Sequence, residues 1–366
     1  MKKIDFIVGT RPNFVKIAPI MKQLEAIDHK DLVFKYRLIH TGQHYDKAMS
    51  ESFFSQLGIR APHQNLEVKS GSQAQQVADI MVEYEKYFLE KKSDMCVVVG
   101  DVNSTMACAI VAAKLSIPVI HIESGLRSND MSMPEEVNRI VTDSIATWHF
   151  TTTENAGKNL MGAGVPSNKI FFVGNLMIDT LISNMDKLRP PKVWDELNLE
   201  AKKYFILTMH RPSNVDNTRN IARIIKVLQS SARGQSIIFP VHPRLKDKLL
   251  SEEIDLSGVI LTEPMGYLEF NFMVKNSLGV VTDSGGISEE TTFMGIPCVT
   301  LRENTERPET VDIGTNELVG FCSRTLAEKV IQILNNDYKI GRIPEKWDGQ
   351  TAIRIVRKLE EIVGKS

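Results

Sequence analysis

The chain has 366 residues, with 44 Lys+Arg against 45 Asp+Glu and a net charge of −1, a balance that argues against nucleic acid or an anionic membrane as its main partner. Hydrophobic residues make up 42% and charged residues 24%, ordinary globular usage that excludes fibrous and disordered architectures. The longest apolar run, Met106–Ala113, falls far short of the about 20 residues a bilayer crossing needs.

Asp5 interrupts any secretory apolar core near the start. Cys96, Cys108, Cys298 and Cys322 show no CxxC spacing, so reduced thiols without disulfides or zinc are expected. These features describe a cytoplasmic protein. At about 150 residues per domain, the length suggests two domains.

In chain order, strand-like runs are Ile4–Val8, Arg37–His40, Cys96–Val99, Val119–Ile122 and His149–Thr151. A second set follows at Phe205–Thr208, Ile237–Pro240, Val259–Thr262, Gly279–Thr282 and Cys298–Leu301. Helical patterns lie between them, at Gln73–Lys91, Asn220–Arg233 and Ser288–Met294 among others. Alternating strands and helices predict parallel sheets with crossover helices, hence an α/β class. The Pro190-Pro191 pair cannot continue a helix, which puts a domain junction near residues 175–195. Apolar residues at 352, 355, 356, 359 and 363 form one face of a last helix that must dock. The expected organisation is two doubly wound domains joined near that junction, with ligands at the strand C-terminal ends across a central cleft.

The first strand ends in Gly9-Thr10-Arg11-Pro12, with Lys16 one turn on. A glycine turn, a helix start and two cations suit an anion. The third strand ends in Gly100-Asp101, the fourth in His121-Ile122-Glu123. Period-two alternation puts His121 and Glu123 on one face. Pro134-Glu135-Glu136 then opens a helix that carries Arg139. Acids at one sheet edge also suit a metal, but arginines at 11, 127 and 139 favour an anionic substrate and acid–base chemistry.

In the second half, two strands end in His210-Arg211 and His242-Pro243-Arg244. Asp283-Ser284-Gly285-Gly286 is the sharpest local motif, a strand entering a small-residue turn before a helix. Backbone amides and the Ser284 hydroxyl there would cradle a diphosphate. Glu290, about two turns into the helix, suits a ribose diol, and Arg307 lies on a loop able to bring another cation.

Taken together, these motifs resemble the non-hydrolysing UDP-N-acetylglucosamine 2-epimerases. The shared set is Gly9-Thr10-Arg11-Pro12 with Lys16, Gly42-Gln43-His44, Gly100-Asp101, Glu123-Ser124-Gly125-Leu126-Arg127, Pro134-Glu135-Glu136 with Asn138-Arg139, His210-Arg211, Asp283-Ser284-Gly285-Gly286 with Glu289-Glu290, and Glu306-Arg307-Pro308-Glu309. Departures are Asn13, Ser124 and Asp46, which stand where an acid, an alanine and a glutamine are common.

The resemblance implies the glycosyltransferase-B type of fold, with two Rossmann-like domains, 1–175 plus 352–366 and 176–351, a last helix returning to the first domain, and a cytoplasmic homodimer. It also implies a role in making N-acetylmannosamine-type precursors of surface polysaccharide. Asp101, Glu123 and Glu135 would be the catalytic carboxylates, and His210 a diphosphate contact with a catalytic role. Arg11, Lys16, Arg139, Arg211, His242, Ser284, Gly285, Gly286, Glu290 and Arg307 would contact the UDP-sugar. No cofactor, metal, nucleic acid or membrane is called for.

Inverting C2 means removing a hydrogen that is not α to a carbonyl. Loss of UDP from C1 acidifies it, so elimination to a 2-acetamidoglucal and re-addition is the expected route. The alternatives are 2-epimerisation of a related sugar such as a UDP-2,3-diacetamido-glucuronate, a hydrolysing epimerase, a glycosyltransferase, or a silent UDP-sugar sensor.

Overall fold

A computed structural model describes residues 1–28, 31–42, 57–211 and 218–364. Strand β1 (Lys2–Val8) leads into helix α1 (Arg11–Ala26), followed by β2 (Phe34–His40), β3 (Gln64–Asn65), α2 (Gln73–Lys91), β4 (Met95–Val99) and α3 (Asn103–Lys114). Next come β5 (Val119–Ile122), α4 (Pro134–Ile145), β6 (Trp148–Thr151), α5 (Glu154–Gly162), β7 (Ile170–Phe172) and α6 (Leu176–Ile182). The second run is α7 (Lys192–Glu196), β8 (Tyr204–Thr208), α8 (Thr218–Ser231), β9 (Ser236–Pro240), α9 (Pro243–Ser251), β10 (Val259–Thr262) and α10 (Tyr267–Asn276). It closes with β11 (Gly279–Thr282), α11 (Gly285–Met294), β12 (Cys298–Thr300), α12 (Pro308–Asp312), β13 (Asn316–Leu318), α13 (Ser323–Leu334) and α14 (Thr351–Gly364).

The strands form two sheets, ordered β3-β2-β1-β4-β5-β6-β7 and β10-β9-β8-β11-β12-β13. Pairings such as β1 with β4 and β8 with β11 are parallel. Strand order reverses between β1 and β4 in the first sheet and between β8 and β11 in the second. Helices diverge there, leaving a crevice at the strand C-terminal ends.

Strands covered on both faces explain their near-continuous apolar sequences. In the second sheet Phe205 and Leu207 join one core with Ile224, Leu228 and Val330, while Tyr204 and Ile206 join the opposite core with Met273 and Val274. In the first, Ile7, Ile39 and Val98 pack with Ile80 and Tyr84 of α2 and with Cys108 and Val111 of α3.

Contacts divide the chain into two compact units, Met1–Ile182 with Glu345–Ser366, and Ser183–Pro344. The first is larger than the expected 1–175 plus 352–366. The returning segment is anchored before α14 begins: Lys346 Nζ donates to the Phe172 carbonyl at 3.0 Å, and Trp347 is buried. Asp179 of α6 accepts from the Ala352 amide at 2.8 Å. The apolar face of α14, including Ala352, Ile355, Val356 and Leu359, is buried, and the helix packs on α1 and α6.

Three of the four cysteines are buried and Cys322 is exposed. Burial pushes the Cys96 thiol up to about 12 and the Cys298 thiol up to about 11. Among the described residues no helix is long and apolar enough to cross a membrane.

Candidate functional site

In the first unit Asp101 follows β4, Glu123 follows β5 and Glu135 opens α4; in the second His210 follows β8, His242 follows β9 and Ser284 follows β11. In the first unit the Gly9–Arg11 turn is not the open set of amides expected. Asn13 Oδ1 accepts from the Gly9 and Thr10 amides, both at 3.2 Å, and Asn13 Nδ2 donates to the Val99 carbonyl at 2.9 Å. One buried side chain thereby consumes the donors and ties β1 to β4. Lys16 is likewise buried, in an ion pair with Glu123. The Arg11 side chain and residues Gln43, His44 and Asp46 lie outside the described residues.

Gly100 and Glu123 both adopt the left-handed backbone region, each at φ 71°. For Gly100 this is easy; for a glutamate it costs energy that the surroundings must repay. The Glu123 and Ser124 amides both donate to the Phe150 carbonyl, at 2.9 and 3.1 Å, which pins the turn. A Cβ on Gly100 would lie 3.1 Å from Lys16 Nζ and 3.5 Å from Glu123 Oε2, so the absence of a side chain lets this pair sit against the strand end.

Asp101 keeps 21% of its side chain exposed and accepts from Arg139 Nε at 3.0 Å. Arg139 was expected to touch substrate. Instead it is buried, with Asp101 on one side and Glu136 on the other, so it orients Asp101. Glu136 also accepts from the Ser128 amide and hydroxyl, both at 2.9 Å, and from the Asn129 amide at 3.1 Å. That occupancy makes Glu136 a structural group. Its neighbour Glu135 stands exposed on the first turn of α4.

Behind this edge lies a cluster the sequence did not resolve. His121 Nδ1 faces Asp143 Oδ1 at 2.7 Å and Nε2 faces the Gly100 carbonyl at 2.8 Å. Asp143 also receives Ser124 Oγ, the Gly125 amide and Arg127 Nη1. Burial opposes its ionisation, but His121, Arg127 and Ser124 outweigh burial and hold its carboxyl well below the usual range. Burial pulls His149, bonded to Ser124 through Nδ1 at 2.9 Å, down to about 4 despite Asp143.

In the second unit Asp283, fully buried, organises the β8 end. It accepts from the His210 and Arg211 amides, with Oδ2 at 3.1 and 3.0 Å, and its Oδ1 faces His210 Nδ1 at 2.8 Å. The Asp283 contact at Nδ1 orients the ring and turns Nε2 outward, on a side chain 63% exposed. Arg211 Nε donates to the Asp283 carbonyl at 3.1 Å. His242 is exposed, and its carbonyl accepts the first-turn amides of α9.

Helix α11 starts at Gly285, three residues before the expected Ser288, with Ser284 as its N-cap. Ser284, Gly285 and Gly286 are half-buried, and first-turn amides have no partner within their own helix. A Cβ on Gly285 would come within 2.7 Å of Glu306 Oε1 and 3.2 Å of Arg307 Nη1. Arg307 was expected to bring another cation to the anion from a loop. It is buried under the turn, bonded to Glu289 and Glu306 at 2.7 Å each, and Arg302 completes the network through Glu306 at 2.7 Å. Beside them, burial with Glu289 and Glu306 nearby pushes Glu309 up to about 8. Glu290 is also buried; Asn271 Nδ2 donates to it at 3.3 Å. Burial pushes this carboxyl up to about 7, with Tyr267 and Asn271 pulling the other way.

Two doubly wound parallel sheets, each flanked by helices, define the glycosyltransferase-B type of architecture. The family model for UDP-N-acetylglucosamine 2-epimerase matches residues 25–360, and the chain belongs to that family.

The UDP-N-acetylglucosamine 2-epimerase of Methanocaldococcus jannaschii is 40% identical over 367 residues, covering 98% of each chain. The crystal structure of the enzyme from that organism in complex with UDP-GlcNAc and UDP aligns with a TM-score of 0.86 at 38% identity, over 98% of this chain and 99% of that one. The UDP-2,3-diacetamido-2,3-dideoxy-D-glucuronate 2-epimerase of Pseudomonas aeruginosa is 37% identical over 330 residues, 89% of this chain and 90% of that one.

Proposed function

We propose that the protein is an isomerase that interconverts UDP-N-acetylglucosamine and UDP-N-acetylmannosamine by shedding and recapturing UDP. The observation that carries this reading is the division of chemistry between the two units. The first holds Asp101, Glu123 and Glu135. The second holds a helix N-terminus, Ser284 and the Asp283-oriented His210.

In the forward step the C1–O bond breaks and its electron pair leaves with the β-phosphate. The C2–H proton passes to a carboxylate, and its electrons form the C1=C2 bond of a 2-acetamidoglucal. Asp101, partly exposed and oriented by Arg139, is our base. A carboxyl on the other face, Glu123 or Glu135, returns a proton to C2 as UDP re-adds at C1. Amides of the first turn of α11, the Ser284 hydroxyl, Arg211 and His210 carrying a proton on Nε2 stabilise the charge that grows on the departing diphosphate. Glu290 accepts the ribose diol, and the Arg302–Glu306–Arg307–Glu289 network supports the turn beneath Gly285. No step calls for a redox cofactor.

Lys16, Arg127 and Arg139 each already face a carboxylate of the chain, which supports a sugar without a carboxylate of its own over the diacetamido-glucuronate. NMR of products from both UDP-sugars tests the choice. Asp101→Asn should lower kcat by about 10²–10⁴ while leaving UDP affinity within a few fold. Normal turnover of that variant would remove Asp101 from the mechanism. We further infer a cytoplasmic homodimer supplying precursors of surface polysaccharide, as the family resemblance implies; sedimentation as a monomer at working concentration would count against the dimer.

A further inference from the structure

His121 is two-ended in an unusual way. Both of its ring nitrogens face acceptors, the Gly100 carbonyl at 2.8 Å and Asp143 at 2.7 Å. The Gly100 carbonyl belongs to the peptide that launches Asp101 from β4. That peptide needs definition, because Gly100 sits at φ 71°, a region open to glycine but with no intrinsic hold on it. Its own amide is fixed by the Ile122 carbonyl at 3.0 Å, and the next carbonyl, of Asp101, accepts from Asn138 Nδ2 at 2.9 Å. The remaining handle is His121.

The far end of the ring is held just as firmly. Asp143 collects donors from Ser124, Gly125 and Arg127, all on the turn that follows Glu123. Asp143 itself lies on α4, the helix that carries Glu135 and Arg139. One imidazole therefore bridges the β4 end with Asp101, the turn after Glu123 and the helix of Glu135. A ring that merely satisfied a buried carbonyl would not need a second anchor drawing on all three.

We propose that His121, held by Asp143, is a positioning residue that fixes the Gly100 carbonyl and thereby the direction of the Asp101 carboxylate. The inference rests on the reading that Asp101 carries the C2 proton. Its test compares His121→Gln with His121→Asn in the full-length protein acting on UDP-N-acetylglucosamine. Glutamine places an amide nitrogen where Nε2 was, so it can still donate to Gly100 while losing Asp143. Asparagine places one near Nδ1, keeping Asp143 and losing Gly100.

The glutamine variant should keep a kcat about tenfold or more above that of the asparagine variant, with KM and UDP affinity within about threefold in both. Equal losses, or a more active asparagine variant, would overturn the proposal. If neither variant folds, Asp143→Asn, which retains shape and the ring, is expected to lower kcat at unchanged KM; unchanged kcat would overturn it. Asp101→Asn assayed alongside separates the two levels. An active Asp101→Asn sinks the reading of the site, whereas an inactive one beside equivalent His121 variants sinks only the positioning role.

Discussion

A carboxyl that titrates near neutrality makes nucleotide binding a proton-linked event. Glu290 is pushed up to about 7 by burial, so at pH 6 it is mostly protonated in the free protein. A ribose diol donates best to the ionised form and draws the group down. UDP affinity should therefore rise with pH through the region around 7, and binding at pH 6 should release a proton. Calorimetry in buffers of different ionisation enthalpy reads that release directly. Glu290→Gln should bind UDP more weakly and with a flat pH dependence; an unchanged slope would show that another group is responsible.

At this scale the sequence located Asp101, Glu123 and Ser284 just past the ends of their strands, as the structure has them. It gave no role to Asp143 or Asp283, whose work is defined by donors from distant turns, and no sign that Arg139 and Arg307 are buried. A cation near an acid in sequence gives no sign of whether it faces solvent or lies buried between two carboxylates.

The start of α11 shows how an element can be shaped by what it must approach. Gly-Gly is a poor helix former, which is why the sequence pattern delays the helix to Ser288, yet the structure begins it at Gly285. The missing side chain admits Glu306 and Arg307 beneath the turn. Gly285→Ala gains helix propensity but forces a Cβ to 2.7 Å from Glu306 Oε1. It should weaken UDP binding by about tenfold, on the order of 1.4 kcal/mol, with little change in fold by circular dichroism. Undiminished affinity would mean that the network beneath the turn does not contribute.

Strands of four or more apolar residues were legible within a few residues of their ends. The edge strands β3, β7 and β13 were not, because they have two or three residues each, too few to carry a period. The Gly9–Arg11 turn was misread for a related reason: a side chain four residues on, Asn13, takes the amides, and no hydrophobic pattern records such a bond.

For the chain as a whole, parallel alternation of strand and helix made the α/β class and the strand-end location of the site readable, since crossover topology leaves few other arrangements. The path of the last helix was legible as an apolar face in need of a surface. What the periodicity could not convey is that the segment before it is also anchored, at Phe172 and Asp179. Leu359 is fully buried on α14, and Leu359→Ala should destabilise the first unit by about 2–5 kcal/mol. Urea denaturation followed by a probe in that unit measures it, and a loss below about 0.5 kcal/mol would mean the helix adds little.

The central claim is that hydrogen at C2 is removed and replaced from the protein while UDP is off the sugar. Turnover of UDP-N-acetylglucosamine in deuterated water tests it most directly. The account predicts one deuterium at C2 of the UDP-N-acetylmannosamine formed. Epimerised product carrying only the original protium at C2 would contradict it.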